Sequence, residues 1–173
     1  IPDDRPIIGY TGRHGFEKNL EALVEAADGL DVFLLFGGDG PARERLQRRT
    51  NELDLEARFL GFLERDELPA FYSMLDVFAF PSPVETEGIV ALEANACGTP
   101  VVGADHGALA ETIRDGKTGY HFEHGNIAAF RAAIRKALKN QTELRETCLD
   151  IREEISLELS LDRFENALQS VLD

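Results

Sequence analysis

Short continuous apolar runs and longer periodic stretches take turns along this chain. Ile7 to Thr11 reads as a strand, and Val32 to Phe36 is apolar without interruption, as expected of a strand covered on both faces. Between them, Phe16 to Ala27 places Leu20, Leu23, Val24 and Ala27 on one helical face. A charged helix over Ala42 to Leu53 and a short strand over Ala57 to Leu60 follow. Asp66 to Leu75 predicts a helix with Asp66 as N-cap and Pro69 tolerated in the first turn. Val77 to Phe80 is another buried strand, stopped by Pro81-Ser82-Pro83. Helices over Gly88 to Ala96, Ala108 to Arg114 and Ile127 to Leu138 alternate with strands over Pro100 to Ala104 and Gly119 to Phe122, and the chain beyond about Glu143 reads as helical.

This order predicts an α/β fold: a Rossmann-like doubly wound parallel sheet of about six strands with helices on both faces. No internal repeat, low-complexity tract or second domain is visible, so residues 1–173 read as one domain. Ligands of such sheets sit at the carboxyl ends of the strands, which makes the residues after each strand the ones to read for chemistry.

Composition narrows the partners. The net charge of −14 argues against nucleic acid and anionic membrane, both of which need a basic surface. An anionic ligand must then be held by a few local cations. One reading of the acidic surplus is a high-salt cytoplasm, where surface carboxylates keep a protein hydrated; an ordinary acidic protein is the other. Cys97 and Cys148, the two cysteines, make neither a disulfide framework nor a metal site, and Cys97 reads as a small buried hydrophobe. The four histidines complete no ligand cluster, so no metal is expected. No apolar run is long enough to span a bilayer and no secretory leader is visible. The opening Ile-Pro-Asp-Asp looks like a cut through a linker.

The strand ends carry the candidate chemistry. After the first strand come Gly12, which allows close backbone approach, and Arg13, with Lys18 in the first turn of the predicted helix. These two cations either converge on one anion beside a helix N-terminus or are ordinary surface charges. Gly37-Gly38-Asp39-Gly40-Pro41 matches neither the dinucleotide fingerprint nor the P-loop and reads as a tight turn with Pro41 at the helix start. After the third strand, a loop at Phe59 to Leu63 offers backbone to the edge of a base, or is simply core and turn.

The fourth strand leads into Glu85 and Glu93, separated by seven residues, with the first-turn amides of Gly88, Ile89 and Val90 between them. Amides suit a phosphate and each carboxylate suits a pair of sugar hydroxyls. The alternatives are acid–base chemistry by a glutamate pair, which needs an open cleft between them, or carboxylates that merely favour the helix dipole.

Gly12-Arg13, Lys18-Asn19-Leu20, Gly38-Asp39-Gly40-Pro41, Phe59-Leu60-Gly61, Asp76 to Ser82, the spaced Glu85 and Glu93, and Gly98-Thr99-Pro100-Val101-Val102 together resemble glycosyltransferase family 4, in order and spacing, to about Leu138. Gly116-Lys117-Thr118-Gly119 resembles a later turn of that family. The resemblance implies a GT-B architecture, two Rossmann-like domains around a cleft, with this chain as the C-terminal half that binds a nucleotide diphosphate sugar. It implies that Arg13, Lys18 and Glu85 are the catalytic group: the cations hold and stabilise the leaving diphosphate, and Glu85 contacts the transferred sugar. Donor binding would fall to Gly12, Arg13, Lys18, Leu63 beside the base, Glu85, the amides of Gly88, Ile89 and Val90, and Glu93 on the ribose hydroxyls. The final helix, Leu161 to Leu172, resembles the segment that crosses back to the other domain.

The implied activity is transfer of a hexose, for example from a UDP- or GDP-sugar, with retention of configuration and without an essential metal or other cofactor. The acceptor, a lipid or a glycan, and a further catalytic histidine would belong to the N-terminal domain, so this fragment alone would be inactive. The implied location is cytoplasmic, with peripheral contact to the inner membrane face through that other domain. A GT-B sugar-phosphate enzyme (phosphorylase or epimerase) and a non-catalytic sugar-nucleotide-binding module are the competing functions. Three positions depart from the family: Glu87 replaces a frequent aromatic residue, Asn19 a glycine, and His14 an aliphatic residue, His14 reading as a partly packed loop histidine.

Overall fold

The computed structural model describes residues 4–84 and 88–152. Among them, six strands form one all-parallel sheet: β1 Ile7–Thr11, β2 Phe33–Gly37, β3 Ala57–Gly61, β4 Val77–Phe80, β5 Val101–Ala104 and β6 Gly119–Phe122. Their order is β3-β2-β1-β4-β5-β6. The helices are α1 Leu20–Ala27, α2 Arg43–Glu52, α3 Leu68–Ser73, α4 Ile89–Ala96, α5 Ala108–Thr112, α6 Ile127–Lys139 and α7 Gln141–Asp150. α1 packs against α2 and α6, and α4 against α3, α5 and α7, which sandwiches the sheet between two helical layers. The predicted doubly wound fold is therefore the observed one.

Burial explains the strand patterns. Every residue of β1, β2, β4 and β5 is buried, so these strands are apolar along their length apart from Thr11 at the end of β1. β3 lies at the sheet edge and exposes Arg58 and Leu60. Phe122 stacks on Phe130 of α6 at 4.0 Å, and each such ring contributes about 1.5–3 kcal/mol by leaving water. Arg131 of α6 donates to the carbonyls of Ala26 at 3.0 Å and Glu25 at 2.6 Å, satisfying acceptors that the end of α1 leaves open.

Several local expectations are corrected. The helix expected from Phe16 is two pieces: a 3-10 turn at Phe16–Lys18, then α1 from Leu20. Asn19 separates them in the left-handed region at φ 53°. Asparagine is among the few non-glycine residues that adopt this conformation readily, which accounts for its standing where the family often has glycine. Glu67, not Asp66, precedes α3, and its carboxylate accepts from the Glu64 amide at 2.7 Å. Pro41 lies in a turn before α2 rather than at its first position. Cys97 is half-buried, and Cys148 is the buried cysteine. The expected helix at Leu161 to Leu172 falls outside the described residues.

The topology reverses between β1 and β4. Five residue pairs join β1 to β2, but only Ile8–Val77 and Gly9–Phe78 join β1 to β4. Beyond Gly9 the two strands share no ladder, and a crevice opens at their carboxyl ends.

Candidate functional site

A cleft of about 340 Å³ occupies that crevice. One wall is backbone. Gly12 follows β1 at φ 138°, where an added Cβ would press on the Tyr10 hydroxyl at 3.0 Å. The Gly12 amide donates to Gly37 O at 3.2 Å, the His14 amide to Asp39 O at 2.8 Å, and the Ala42 amide to His14 O at 2.9 Å. At Gly38 (φ 95°) a Cβ would run into the carbonyl oxygen of Gly12, so the loops after β1 and β2 approach as only glycine allows. Gly38 also bridges to Gly61 after β3. The turn at Gly38 and Asp39 thus does more than the sequence indicated: it lines the cleft. The Asp39 carboxylate accepts from the Gly40 amide and from Arg43, each at 2.7 Å, and these bonds hold its carboxyl below the usual range.

His14 is fully buried rather than partly packed. Its ring meets Tyr10, Phe36 and Phe59 at centroid distances of 6.1, 6.1 and 6.3 Å. Nε2 lies 3.0 Å from Gly37 O, and Nδ1 has no hydrogen-bond partner among the described residues. Burial lowers its pKa and Arg43 adds to that, against the opposing pull of the Gly37 bond and the Asp39 charge.

The opposite wall is made of side chains. Val90 and Glu93 project from α4, and Leu63, Leu68 and Phe62 close the end beyond β3. Phe62 is 77% exposed, an unusual position for a phenylalanine unless something covers it. Tyr72 of α3 donates to Glu93 Oε2 at 2.8 Å. Burial first, and then this bond to a carboxylate, push the Tyr72 hydroxyl well above its ordinary pKa, so it remains a donor at any working pH. The bond sets the Glu93 rotamer while leaving most of the carboxylate's acceptor sites available.

The cleft brings together five of the expected site residues: Gly12, Arg13, Leu63, Val90 and Glu93. Arg13 forms an ion pair with Glu17 at 2.7 Å. Lys18, which ends the 3-10 turn rather than beginning a helix, stands outside the lining. Its Nζ is 5.7 Å from the Phe80 ring centroid and donates to Val84 O at 3.4 Å, reaching from the β1 side to the loop after β4. Gly88 precedes α4 in the left-handed region at φ 67°, and Ile89 is the exposed first residue of the helix. The amides of Ile89 and Val90, in the first helical turn, have no intrahelical acceptor. Glu85 and Glu87 lie outside the described residues. Phe62, from the loop that the sequence marked beside a base, lines the cleft with Leu63, and Thr11, Leu68 and Tyr72 line it without having been singled out from sequence. Among the described residues, no cluster of three or more histidine, cysteine or acidic side chains is arranged to hold a metal ion.

A cleft at the reversal point of a doubly wound sheet, with a carboxylate on one wall and a cation and turned-in backbone on the other, is where folds of this class hold small-molecule ligands. A family model described as glycosyl transferases group 1 matches residues 1–154. The sulfoquinovosyl transferase of Arabidopsis thaliana is 38% identical over 147 residues, 83% of this chain and 28% of that protein. A GDP-mannose-dependent alpha-(1-6)-phosphatidylinositol monomannoside mannosyltransferase of Mycolicibacterium smegmatis is 37% identical over 145 residues, 76% of this chain and 38% of that protein. Among solved structures, the catalytic domain of cholesterol-alpha-glucosyltransferase from Helicobacter pylori superposes with a TM-score of 0.77 at 26% identity, covering 87% of this chain and 96% of that one. The chain belongs to the group 1 glycosyltransferase family. It spans between 28% and 38% of the length of those two sequence relatives.

Proposed function

We propose that this chain is the donor-binding, C-terminal domain of a family 4 GT-B glycosyltransferase that transfers a hexose from a nucleotide diphosphate sugar with retention of configuration. The observation that carries the proposal is the pairing, across one cleft, of Arg13 with Glu93. Glu93, oriented by Tyr72, would accept from the ribose hydroxyls. Arg13, after exchanging Glu17 for the ligand, would hold the diphosphate, with Lys18 and the first-turn amides of α4 completing the anion site. Phe62 and Leu63 would border the base. Glu85 would contact the transferred sugar. As the glycosidic bond breaks, negative charge builds on the diphosphate, and fixed cations stabilise it without a metal. The acceptor, lipid or glycan, and the remaining catalytic groups would come from an N-terminal domain.

Among the described residues, no helix is long and apolar enough to cross a membrane. A cytoplasmic location, with any membrane contact made through the other domain, is part of the proposal, as is the origin of the acidic surplus in a high-salt cytoplasm. Calorimetry with UDP-, GDP- and ADP-sugars, in low and high salt, tests the donor assignment. We expect weak binding of one donor and no sugar transfer by this chain alone; absence of binding by every donor in both salts would sink the assignment.

A further inference from the structure

We infer that His14 is a positioning residue for Arg13: its neutral ring, locked on the Gly37 carbonyl, holds the Arg13 backbone in the cleft wall, and proton uptake by the ring releases that hold and weakens donor binding. The inference rests on the proposal that Arg13 binds the donor diphosphate, and it concerns what keeps Arg13 in place.

Arg13 does not anchor itself. Its side chain is 66% exposed, and its ion pair with Glu17 is a surface contact of the kind that contributes little. Its position comes from its neighbours. Gly37 O accepts twice, from the Gly12 amide at 3.2 Å and from His14 Nε2 at 3.0 Å, and these donors flank Arg13 on either side. The Arg13 carbonyl accepts from the Tyr10 hydroxyl at 3.3 Å. The His14 amide and carbonyl are both engaged, with Asp39 O and the Ala42 amide. Of these ties, the His14 ring is the one that a proton can break.

To donate to a carbonyl, Nε2 must carry the ring proton, which leaves Nδ1 as a lone pair. That nitrogen is buried with no partner among the described residues. A second proton would create a cation whose new N–H has no acceptor, among the rings of Tyr10, Phe36 and Phe59. The charged and titratable groups facing it do not change this outcome. Asp39, on the loop after β2, favours the cation but is already committed to the Gly40 amide and Arg43. Arg43, on α2, opposes it, and Tyr10, on β1, turns its hydroxyl to the Arg13 carbonyl. The protonated ring is therefore stable only outside its cage.

The sign follows from which state takes the proton. The seated ring has a pKa below the ordinary value of about 6.5, so the hold is complete above that ordinary value and is lost as pH falls through the lowered pKa of the seated ring. A nucleotide sugar separates this effect from ionisation of the ligand, because its diphosphate, esterified at both ends, has no terminal phosphate to titrate near neutrality.

The test is calorimetry of UDP-glucose and GDP-mannose with the 173-residue chain and its His14→Gln variant at about pH 7.5 and about pH 5.5, on either side of the imidazole pKa. Glutamine keeps a side-chain N–H for Gly37 O and does not titrate. We expect the native chain to lose more than about twofold and at most about tenfold in affinity at the lower pH, the upper limit being that of an unshifted imidazole one unit above that pH, and the variant to change by less than about twofold. Equal losses in both proteins, or none in the native chain, would overturn the inference. The His14 ring is also followed by NMR in the donor-free native chain, a readout that needs neither the variant nor a donor. There, titration at the ordinary imidazole pKa with no change in the Gly12 and Arg13 amide signals overturns the role of His14. If neither donor binds at neutral pH, the donor that does bind in the UDP-, GDP- and ADP-sugar panel takes their place, and the same NMR titration decides the role of His14 without any donor.

Discussion

The two walls of the cleft are built by different means. On the β1–β2 side, main chain lies against main chain, and the fit depends on Gly38 having no Cβ. On the α4 side, main chain is ordinary helix, and the chemistry rests on one carboxylate turned by one hydroxyl. A wall of backbone is rigid and sequence-intolerant, and its defects appear as lost stability. A wall of side chains can lose its function while the fold remains. The difference predicts which substitutions separate binding from folding.

The largest effect is expected on the backbone wall. Gly38→Ala combines a strained left-handed residue with a clash against Gly12 O and should cost about 3 kcal/mol, near the upper end of ordinary point substitutions. Urea unfolding measures it; a variant as stable as the native chain would show that this wall is not rigid. Next comes Glu93→Gln, which removes the charge but keeps an acceptor for Tyr72. It should weaken donor binding by about 2 kcal/mol and leave the unfolding midpoint almost unchanged. A loss of stability as large as that of Gly38→Ala would erase the contrast between the walls.

Lys18 spans the two sides, and Lys18→Ala should weaken diphosphate binding by about 1–3 kcal/mol, the range of a charge-assisted contact. Unchanged affinity in the folded variant would remove Lys18 from the site. The smallest effect is expected for Tyr72→Phe, about 1 kcal/mol in donor affinity, because Glu93 then loses its orientation and not its charge. A variant that binds donor as the native chain does would mean that Tyr72 does not set the carboxylate.

The strands were legible because burial on both faces leaves them little but apolar residues, and their alternation with helical periods dictated a parallel sheet. The break at Asn19 was not, because the apolar spacing from Leu20 to Ala27 extends smoothly back to Phe16, and periodicity says nothing about one left-handed residue. Gly12, Arg13 and Glu93 were marked as candidates by their places at strand ends and on a helix face, and they line the cleft. Tyr72 could not: its contact with Glu93 joins residues 21 apart, on helices whose relative placement exists only in the fold. The burial of His14 was hidden for the same reason, since its cage combines rings from three strands.

The short seam between β1 and β4 bears on how the molecule assembles. The seam bond from the Ile7 amide to the Asp76 carboxylate joins residues 69 apart, whereas the pairings of β1 with β2 and of β4 with β5 join residues 26 and 23 apart. Closing the longer loop costs more chain entropy before any contact repays it. The two halves of the sheet should therefore form first and dock afterwards. The cleft lies on the docking line, so binding competence should be the last property to appear during refolding, and a ligand that spans the line would act as a clasp on the finished fold.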